Sequence, residues 1–377
     1  MKTRAAVLVE MGRKRPYAES RPLELVELDL EAPGPGEVLV RVEAAGLCHS
    51  DLSAIDGNRP RPVPMVLGHE GAGVVEAVGT GIGPDDLAPG DHVVMVFVPG
   101  CGACVPCMEG RPALCTAAAK ANVAGTLITG ARRLSWNGKP VNHLVGVSCF
   151  AERCVVSRRS LVKVHKRLPL DKAALFGCAV ITGVGAALNT GGLKAGQKLA
   201  VVGMGGVGLN ALLGGLAAGA SQVVALDLDP RKLELARQLG ATAAFDARAT
   251  DVVEQVKAAT GGGVDVAVET AGAAPAVELA YAVTARGGTT VTAGLAHPDR
   301  KVSVQQVSLV GEERTLKGSY MGSCVPARDI PRYIALNEAG RLPVERVLSD
   351  YIRLDDINAG FDRLADGAAI RQVIRFG

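Results

Sequence analysis

The sequence predicts an α/β protein in which a doubly wound parallel sheet accompanies a second, β-rich part. Residues 1–150 consist of short β-rich pieces separated by glycine and proline. From about residue 180 to 320, strands alternate with helical stretches, and one predicted strand is followed directly by a glycine-rich turn. This alternation is typical of a doubly wound sheet. A length of 377 residues fits about two domains.

Individual elements follow from local patterns. In the first part, short β-branched runs predict strands: Glu37–Glu43, Gly73–Gly79 and His92–Val96. In the second part, apolar runs predict buried parallel strands: Lys198–Val202, Gln222–Leu226, Val264–Val268 and Thr289–Thr292. Apolar or periodic stretches predict helices: Val207 to about Gly219, Arg231–Leu239 and Ala327–Asn337.

Composition excludes several classes of protein. With 48% hydrophobic and 21% charged residues, the chain is not disordered. A formal net charge of +3 and only 3% aromatic residues argue against a nucleic-acid partner. Two uncharged stretches, 173–193 and 199–226, reach the length of a membrane span. Seven glycines in the second favour buried strands and a helix, so we expect no membrane partner.

The N-terminus and the cysteines indicate a cellular compartment. The first residues lack an apolar segment of signal-peptide length, so we expect a cytoplasmic location. Thiols stay reduced there, and grouped cysteines then suggest metal binding. Four of the nine cysteines have the spacing C-x2-C-x2-C-x7-C: Cys101, Cys104, Cys107 and Cys115. Four thiolates leave no open position on zinc, which predicts a structural site. An iron–sulfur cluster or unrelated buried thiols are the alternatives.

Three dispersed residues supply the ligand types of a catalytic zinc. Cys48, His69 and Cys178 offer two thiolates and one imidazole, which leave the fourth position for water or substrate. Spacing alone does not decide whether these three residues bind a metal. A lone cysteine is usually a small core residue, and a lone histidine is more often a hydrogen-bonded neighbour.

The glycine-rich turn predicts a dinucleotide site. It has the pattern G-x-G-x-x-G directly after a predicted strand, and its candidate binding residues are Gly203, Gly205, Gly206, Val207 and Gly208. Asp227 ends the next predicted strand, where a carboxylate accepts hydrogen bonds from both ribose hydroxyls. It would repel a 2′-phosphate, so NAD is favoured over NADP. A tight structural turn is the alternative.

Together these motifs resemble the zinc-containing alcohol dehydrogenases of the medium-chain dehydrogenase/reductase superfamily. The resemblance spans essentially the whole chain, with Gly-Leu-Cys-His-Ser-Asp at 46–51, Gly-His-Glu at 68–70, the four-cysteine lobe, the glycine turn and a closing Ile-Arg. Residues 138–152 resemble the long-loop branch with animal-type and glutathione-dependent formaldehyde dehydrogenases. The family implies a Rossmann cofactor domain, 180–320, inserted in a GroES-like catalytic domain, 1–179 and 321–377, with a structural-zinc lobe at 99–116.

The resemblance assigns roles around a catalytic zinc. It implies that Cys48, His69 and Cys178 are its ligands, which makes two zinc ions per chain with the four-cysteine lobe. Further catalytic positions carry over from the family: Glu70 behind the metal, Asp51 orienting His69, and Ser50 receiving the alcohol proton. Many relatives have a histidine in the relay where this chain has Ser53, and water held by Ser53 substitutes for it. Ser50 as a helix cap is the alternative.

The family also implies contacts to the cofactor and the substrate. His49 and Arg371 are expected at the pyrophosphate, Lys232 at the adenosine ribose and Thr182 at the nicotinamide; as an alternative, Lys232 and Arg371 are solvated charges. The family's pocket positions suggest an apolar pocket: Phe97, Leu144, Val145 and Leu295. Lys120 departs from the apolar residue of many relatives. It either attracts an anionic group or extends to solvent with its stem on the pocket wall.

The leading prediction is an NAD-dependent zinc enzyme that interconverts alcohols with aldehydes or ketones, acting on an apolar aliphatic or aromatic alcohol. A dehydrogenase of thiol–formaldehyde adducts is the first alternative; it is disfavoured because Asn58-Arg59 replaces the acid expected in that branch. A non-catalytic dinucleotide- or zinc-binding protein is the second. The family implies a homodimer or homotetramer. The three remaining cysteines are predicted to be packing residues: Cys149, Cys154 and Cys324.

Overall fold

The chain divides into two compact units in a computed structural model that describes all residues from Met1 to Gly377. The first unit comprises Met1–Cys178, Val325–Pro331 and Leu348–Gly377. The second comprises Ala179–Cys324 and Arg332–Val347. Residues 179, 321–324 and 332–347, which the sequence prediction places in the catalytic domain, thus lie in the second unit.

The chain contains eighteen strands and thirteen α-helices, together with short 3-10 turns and one π-helical turn, Ala186–Thr190. In chain order the strands are β1 Lys2–Leu8, β2 Leu23–Leu30, β3 Glu37–Gly46, β4 Met65–Val66, β5 Glu70–Val78, β6 His92–Met95, β7 Leu134–Trp136, β8 Lys139–His143, β9 Arg153–Ser157, β10 Leu161–Val164, β11 Lys198–Val202, β12 Gln222–Asp227, β13 Ala243–Asp246, β14 Val264–Glu269, β15 Thr284–Thr292, β16 Thr315–Gly318, β17 Asp350–Ile352 and β18 Gln372–Arg375. The helices are α1 Tyr17–Ser20, α2 His49–Ile55, α3 Val105–Met108, α4 Thr116–Ala124, α5 Leu170–Ala173, α6 Ala179–Gly185, α7 Gly206–Ala217, α8 Pro230–Leu239, α9 Val252–Thr260, α10 Ala274–Val283, α11 Gln306–Gly311, α12 Pro326–Glu338 and α13 Ile357–Ala365.

None of these helices is by itself long and apolar enough to cross a membrane. One bent pair, Leu170–Gly177 with Ala179–Thr190, reaches the required length and composition only when its two parts are taken together.

The first unit contains two sheets. Strands β1, β2, β7, β8 and β4 close into a small barrel, filled by buried apolar side chains such as Val7, Leu28 and Val66. The second sheet has the order β10-β6-β5-β3-β18-β17, and β9 also pairs with β3. Strand β3 therefore has three partners, and Gly46 at its end lies opposite both Glu70 of β5 and Val373 of β18. This register places residues far apart in the sequence at one end of the sheet.

The second unit contains a six-stranded sheet of order β13-β12-β11-β14-β15-β16, in which every neighbouring pair is parallel. Strand β11 is central, and Leu199 through Val202 are buried, as expected for a strand covered on both faces. Helix α7 follows β11 and is buried over most of its length. The covering of both faces explains why these segments are almost entirely apolar.

Three predicted strands differ from the structure by three residues or more. Strand β3 continues to Gly46 rather than ending at Glu43. Strand β5 begins at Glu70 rather than at Gly73, because its pairing with β3 continues to Gly46. Strand β15 begins at Thr284 rather than at Thr289. The exposed Arg286 and Gly287 interrupt its apolar pattern, and its pairing with β14 contains an irregularity.

Helix α8 has the local signals that start and end a helix. Asp229 is the N-cap, and its side chain accepts a hydrogen bond from the Arg231 amide at 2.9 Å. Pro230 occupies the first turn, where a missing N–H costs nothing. Gly240 ends the helix with a φ of 112°. These signals place Lys232 in the first helical turn after β12.

A buried carboxylate at the start of β3, in the second sheet, binds residues of the segment that leads into β7 of the barrel. Glu37 is fully buried and accepts hydrogen bonds from the Gly34 amide at 2.9 Å, the Thr129 hydroxyl at 2.6 Å and Arg133 Nε at 2.7 Å. Burial alone would raise the pKa of Glu37. The hydrogen bonds from Thr129 and Arg133 outweigh burial, so that the pKa lies below its usual value.

We predict that Glu37→Gln lowers the free energy of unfolding at pH 7 by about 1–3 kcal/mol, because the charged hydrogen bonds are lost. A carboxylate whose pKa is lowered by folding stabilises the folded protein at pH values above its unfolded pKa of about 4.3. This stabilisation is lost as the pH falls through the lower pKa of the folded state. The difference between variant and wild type should therefore shrink below about pH 4.

Thermal unfolding of both proteins from pH 7 to pH 3 measures this difference. Glu27→Gln, which changes an exposed carboxylate on β2, is the control and should have little effect. A loss of stability that persists unchanged at pH 3 would contradict the assigned role of the Glu37 carboxylate.

Candidate functional site

Four potential metal ligands converge in the first unit although they span 131 positions of the chain. Cys48 lies just before α2, His69 and Glu70 lie at the start of β5, and Cys178 lies just before α6. One ligand atom from each lies within 4.8 Å of the other three, and all four residues are buried. The structure thus brings together Cys48, His69 and Cys178, which sequence spacing alone left open.

Asp51 on α2 lies within hydrogen-bond distance of the histidine of this group. It is fully buried, and its Oδ1 lies 3.2 Å from His69 Nδ1 and accepts a hydrogen bond from the Gly68 amide at 3.0 Å. A carboxylate that accepts a hydrogen bond from Nδ1–H leaves the lone pair of Nε2 for a metal. This geometry is the one expected of a histidine ligand held in a single tautomer.

The thiols and the imidazole of this group have strongly shifted pKa values. A hydrogen bond with Cys178 lowers the pKa of Cys48, whereas the same bond and burial raise the pKa of Cys178. Burial opposes the charged form of His69, but Asp51 and Cys48 raise its pKa overall. Without a cation, two adjacent buried thiolates repel each other. A divalent cation would compensate both, and the set of sulfur and nitrogen donors fits zinc.

A buried ion pair lies directly beside these ligands. Arg371 Nη1 contacts Glu70 Oε1 at 2.7 Å and Oε2 at 2.8 Å, and it donates a hydrogen bond to the Leu47 carbonyl at 3.0 Å. Burial raises the pKa of Glu70, and the adjacent guanidinium of Arg371 opposes this effect by favouring the carboxylate form. The guanidinium therefore compensates a carboxylate that would otherwise be isolated in the interior.

Helix α2 carries the two serines that the sequence analysis singled out. Ser50 lies on its first turn and is partly buried. Ser53 Oγ donates a hydrogen bond to the His49 carbonyl at 2.9 Å, so its proton is engaged within the helix and only its lone pairs remain available. His49 itself is exposed.

The predicted pocket residues fall into two groups. Phe97 is buried and meets the ring of His69 edge to face, with centroids 5.5 Å apart, so it lies against a candidate metal ligand. Leu144 and Val145 are also buried in the first unit. Lys120 on α4 is exposed. Leu295 belongs to the second unit and is 54% exposed.

The four cysteines of the lobe also form a compact group. Their Sγ atoms all lie within 4.8 Å of one another. Backbone amides point at these sulfurs: Ala103 and Cys104 donate to Cys101 Sγ at 3.4 and 3.3 Å, and Cys101 donates to Cys115 Sγ at 3.3 Å. Amides directed at sulfur stabilise thiolates, which are the form that binds metal.

The thiols of the lobe differ in how readily they lose a proton, as their pKa values show. Hydrogen bonds from the backbone amides of Cys107 and Thr116 lower the pKa of Cys104 to about 6. Burial and the neighbouring thiols raise the pKa of Cys107 to about 12. A cation is required for all four to ionise together, and four thiolates with no open position match a structural zinc.

In the second unit, the glycine-rich turn connects β11 to α7. A Cβ on Gly208 would lie 1.8 Å from the Gly203 carbonyl oxygen, so only glycine permits this approach of helix to strand. A Cβ on Gly205 would meet no atom within 4 Å, which leaves space above the turn for a ligand. The amides at the start of α7 favour an anion in that space. Gly206 is buried and Val207 is partly exposed.

Two further groups of the second unit fit a dinucleotide. Asp227 ends β12, and its carboxylate accepts hydrogen bonds from the Met204 amide in the turn and the Asp229 amide. This places the carboxylate beside the turn, as expected for a group that binds the ribose. Thr182 on α6 is buried, and its hydroxyl has no hydrogen-bond partner. Buried hydroxyls normally have a partner, so a ligand group fits here.

One contact was missed by the sequence reasoning. Arg59 Nη2 donates a hydrogen bond to Ser50 Oγ at 3.3 Å. In the sequence, Arg59 is notable only because Asn58-Arg59 replaces an expected acid. Its contact with Ser50, nine residues earlier, requires the chain to turn back after α2, and no local sequence signal indicates that turn. The remaining cysteines are buried, and Cys324 Sγ donates to the Ile181 carbonyl at 3.4 Å.

Comparisons with known proteins agree with this geometry. Residues 34–166 match the alcohol dehydrogenase GroES-like domain, and residues 206–339 match the zinc-binding dehydrogenase family. The "Putative alcohol dehydrogenase D" of Mycobacterium tuberculosis is 43% identical, over 99% of this chain and 100% of the relative. The NDMA-dependent alcohol dehydrogenase of Amycolatopsis methanolica is 40% identical, over 99% of each chain. The crystal structure of benzyl alcohol dehydrogenase from Acinetobacter calcoaceticus superposes with a TM-score of 0.93 at 31% identity and covers 100% of both chains.

The chain belongs to the zinc-containing alcohol dehydrogenases of the medium-chain dehydrogenase/reductase superfamily. It is an enzyme, an oxidoreductase with zinc-dependent alcohol dehydrogenase activity on small molecules. The predicted family and the predicted combination of a GroES-like domain with a doubly wound parallel sheet are confirmed.

We predict that the wild type binds about two zinc ions per chain and that Cys104→Ser binds about one, because the lobe then loses one of its four ligands. Metal analysis by plasma mass spectrometry measures both counts. Cys154→Ser is the matched control, since this buried thiol belongs to neither ligand group. An unchanged zinc count in Cys104→Ser would contradict a metal in the lobe, and iron in the wild type would support the cluster alternative.

Proposed function

We propose that this enzyme interconverts alcohols with aldehydes or ketones using NAD, at a catalytic zinc held by Cys48, His69 and Cys178. The buried set of these three residues beside Glu70 supports the proposal most strongly. Three protein ligands leave a position open for the substrate oxygen, as catalysis requires. We assign the second zinc, with a structural role, to the four-cysteine lobe.

The second unit would bind the cofactor. The open space at Gly205, the amides at the start of α7 and the carboxylate of Asp227 would hold the pyrophosphate and the adenosine ribose, with Gly203, Gly206, Val207 and Gly208 shaping the turn. We assign Thr182 to the nicotinamide, because its buried hydroxyl lacks a partner. We assign the partly exposed Lys232 to the ribose. Asp227 favours NAD over NADP by repelling a 2′-phosphate.

When bound, zinc supplies a Lewis acid for the substrate oxygen and NAD supplies a hydride acceptor. The protein's own residues would manage the proton. Ser50 accepts the hydroxyl proton of the alcohol, and Asp51 holds His69 in the tautomer that leaves Nε2 free. From Ser50 the proton would leave through water held by the lone pairs of Ser53.

One family assignment changes in the light of the structure. Arg371 is bound to Glu70 and Leu47, so we assign it to compensating the charge of Glu70 rather than to the pyrophosphate. The exposed His49 keeps the proposed pyrophosphate contact. Lys120 is exposed, which supports the expectation that it extends to solvent.

The substrate is proposed to be an apolar aliphatic or aromatic alcohol. Phe97 lies against His69, and Leu144 and Val145 are buried in the same unit, which supports an apolar pocket. The relative named benzyl alcohol dehydrogenase supports an aromatic alcohol. Leu295 would contribute only if a substrate or a further chain segment covered it, since it is exposed.

We further propose a homodimer or homotetramer in the cytoplasm. Strand β16 is an edge of the parallel sheet, and Val307, Val310 and Leu316 are exposed on or near it. An unpaired strand edge with exposed apolar side chains favours pairing with another copy. The nine free cysteines support a compartment in which thiols stay reduced.

The proposed function predicts NADH formation, followed by absorbance, with primary, secondary and aromatic alcohols. NAD and NADP are compared, each with and without NDMA, because a relative is named for dependence on that compound. Added thiols with formaldehyde test the adduct alternative. Activity only with thiol present would favour that alternative, and zinc without activity on any substrate would favour the non-catalytic one.

Ser50→Ala is expected to lower turnover by roughly 10²–10⁴-fold with zinc retained, because the proton acceptor is lost. Ser50→Thr keeps the hydroxyl and should restore most of the turnover. Steady-state kinetics with zinc analysis of the same samples measures both. Turnover near that of the wild type in Ser50→Ala would contradict the role assigned to Ser50.

A further inference from the structure

Arg59 is a cation without a carboxylate partner beside the proposed proton acceptor. The residue is partly buried, and its only side-chain hydrogen bond goes from Nη2 to Ser50 Oγ. Its Nε is buried and has no hydrogen-bond partner. Guanidinium groups in partly buried positions are normally paired with an anion, because a buried charge is otherwise poorly solvated.

The backbone after α2 holds Arg59 in this position. The Arg59 amide donates to the Ser53 carbonyl at 2.8 Å, which turns the chain back toward the first turn of α2. The nearest acid in sequence, Asp56, is engaged by the amide and the side chain of Asn58, both at 2.8 Å. The loop therefore fixes the backbone of Arg59 without neutralising its charge.

We infer that Arg59 determines substrate specificity by binding the carboxylate of a short hydroxycarboxylic acid. This inference rests on the proposed function, in which Ser50 contacts the reacting hydroxyl, and it replaces the neutral apolar alcohol proposed there by an alcohol whose far end is anionic. Nη2 carries two N–H groups and needs only one of them for Ser50, so its other N–H remains, together with that of a neighbouring nitrogen, for a carboxylate. An arginine presents these donors in a planar fork that matches a carboxylate. Arg59 takes no part in bond making and serves as a binding residue.

The distances limit the length of this substrate. Nη2 lies 3.3 Å from Ser50 Oγ, and a hydroxyl hydrogen bond spans about 2.7 Å, so the reacting oxygen lies within about 6 Å of Nη2. Each carbon–carbon bond advances a chain by roughly 1.3 Å. One to three carbons between the carbinol carbon and the carboxylate fit this span, as in 3-hydroxypropanoate and 4-hydroxybutanoate.

The test compares kcat/KM for 4-hydroxybutanoate with kcat/KM for 1-pentanol, a neutral alcohol of similar length. We expect the wild type to favour the hydroxy acid at least tenfold and Arg59→Leu to lose at least tenfold of this ratio. Because Arg59 also contacts Ser50, any loss that comes from Ser50 affects both substrates and cancels in the ratio. Arg59→Lys keeps a charge but not the fork and should have an intermediate ratio.

Arg61→Leu is the matched control. Arg61 lies two residues away and donates a hydrogen bond to Asn122 Oδ1 at 3.3 Å, so we expect its replacement to leave the ratio unchanged. An equal loss of the ratio in this variant would contradict a specific role of Arg59. A wild type without preference for the hydroxy acid would overturn the inference. So would an equal loss of kcat on both substrates in Arg59→Leu, which would show that Arg59 only positions Ser50.

A binding measurement distinguishes failure of this inference from failure of the proposed function. Calorimetry with 4-hydroxybutanoate requires no turnover, and its affinity should fall at least tenfold in Arg59→Leu. Oxidation of 1-pentanol without preference for the acid would support the proposed function and overturn the carboxylate site. Binding that depends on Arg59, without oxidation of any alcohol, would support the carboxylate site and contradict the proposed function. Zinc content and the unfolding midpoint establish that each variant is folded.

Discussion

The register of β3 is the constraint on which the candidate metal site depends. Gly46 at its end lies opposite Glu70 on one side and Val373 on the other. Cys48 then follows β3, His69 precedes Glu70, and Arg371 precedes β18 at the same end of the sheet. A shift of one residue in either pairing would turn these side chains to the other face. Sheet pairing therefore does what no local sequence signal does: it assembles the site.

Charge compensation follows from this placement. Glu70 is fully buried beside the candidate ligands and is neutralised by Arg371, while Asp51 is neutralised through His69 and the Gly68 amide. Each buried charge near Cys48 thus has a partner inside the first unit. Arg59 is the exception, since it contacts Ser50 without facing an anion. Its free donors are the reason to look for the anion in the substrate.

The candidate metal ligands and the candidate cofactor residues lie in different units. The candidate zinc ligands and Ser50 belong to the first, which is built from antiparallel pairs and a barrel, and the glycine turn and Asp227 belong to the second, with its parallel sheet. The glycine turn is the more local of the two sites. Its residues are nearly consecutive, and the 1.8 Å approach at Gly208 explains why the pattern requires glycine.

The sequence by itself determined whatever depends on neighbouring residues. The four-cysteine lobe, the glycine turn after β11 and the start and end of α8 all follow from residues a few positions apart, and the structure shows each as a compact local feature. Family resemblance, rather than spacing, selected Cys48, His69 and Cys178. Only the tertiary structure decided the contacts made across long separations: the start of β5, the pairing of Arg371 with Glu70, and the contact of Arg59 with Ser50. The physical reason is that sheet register and chain reversal bring these side chains together, and neither leaves a periodic signal in the sequence.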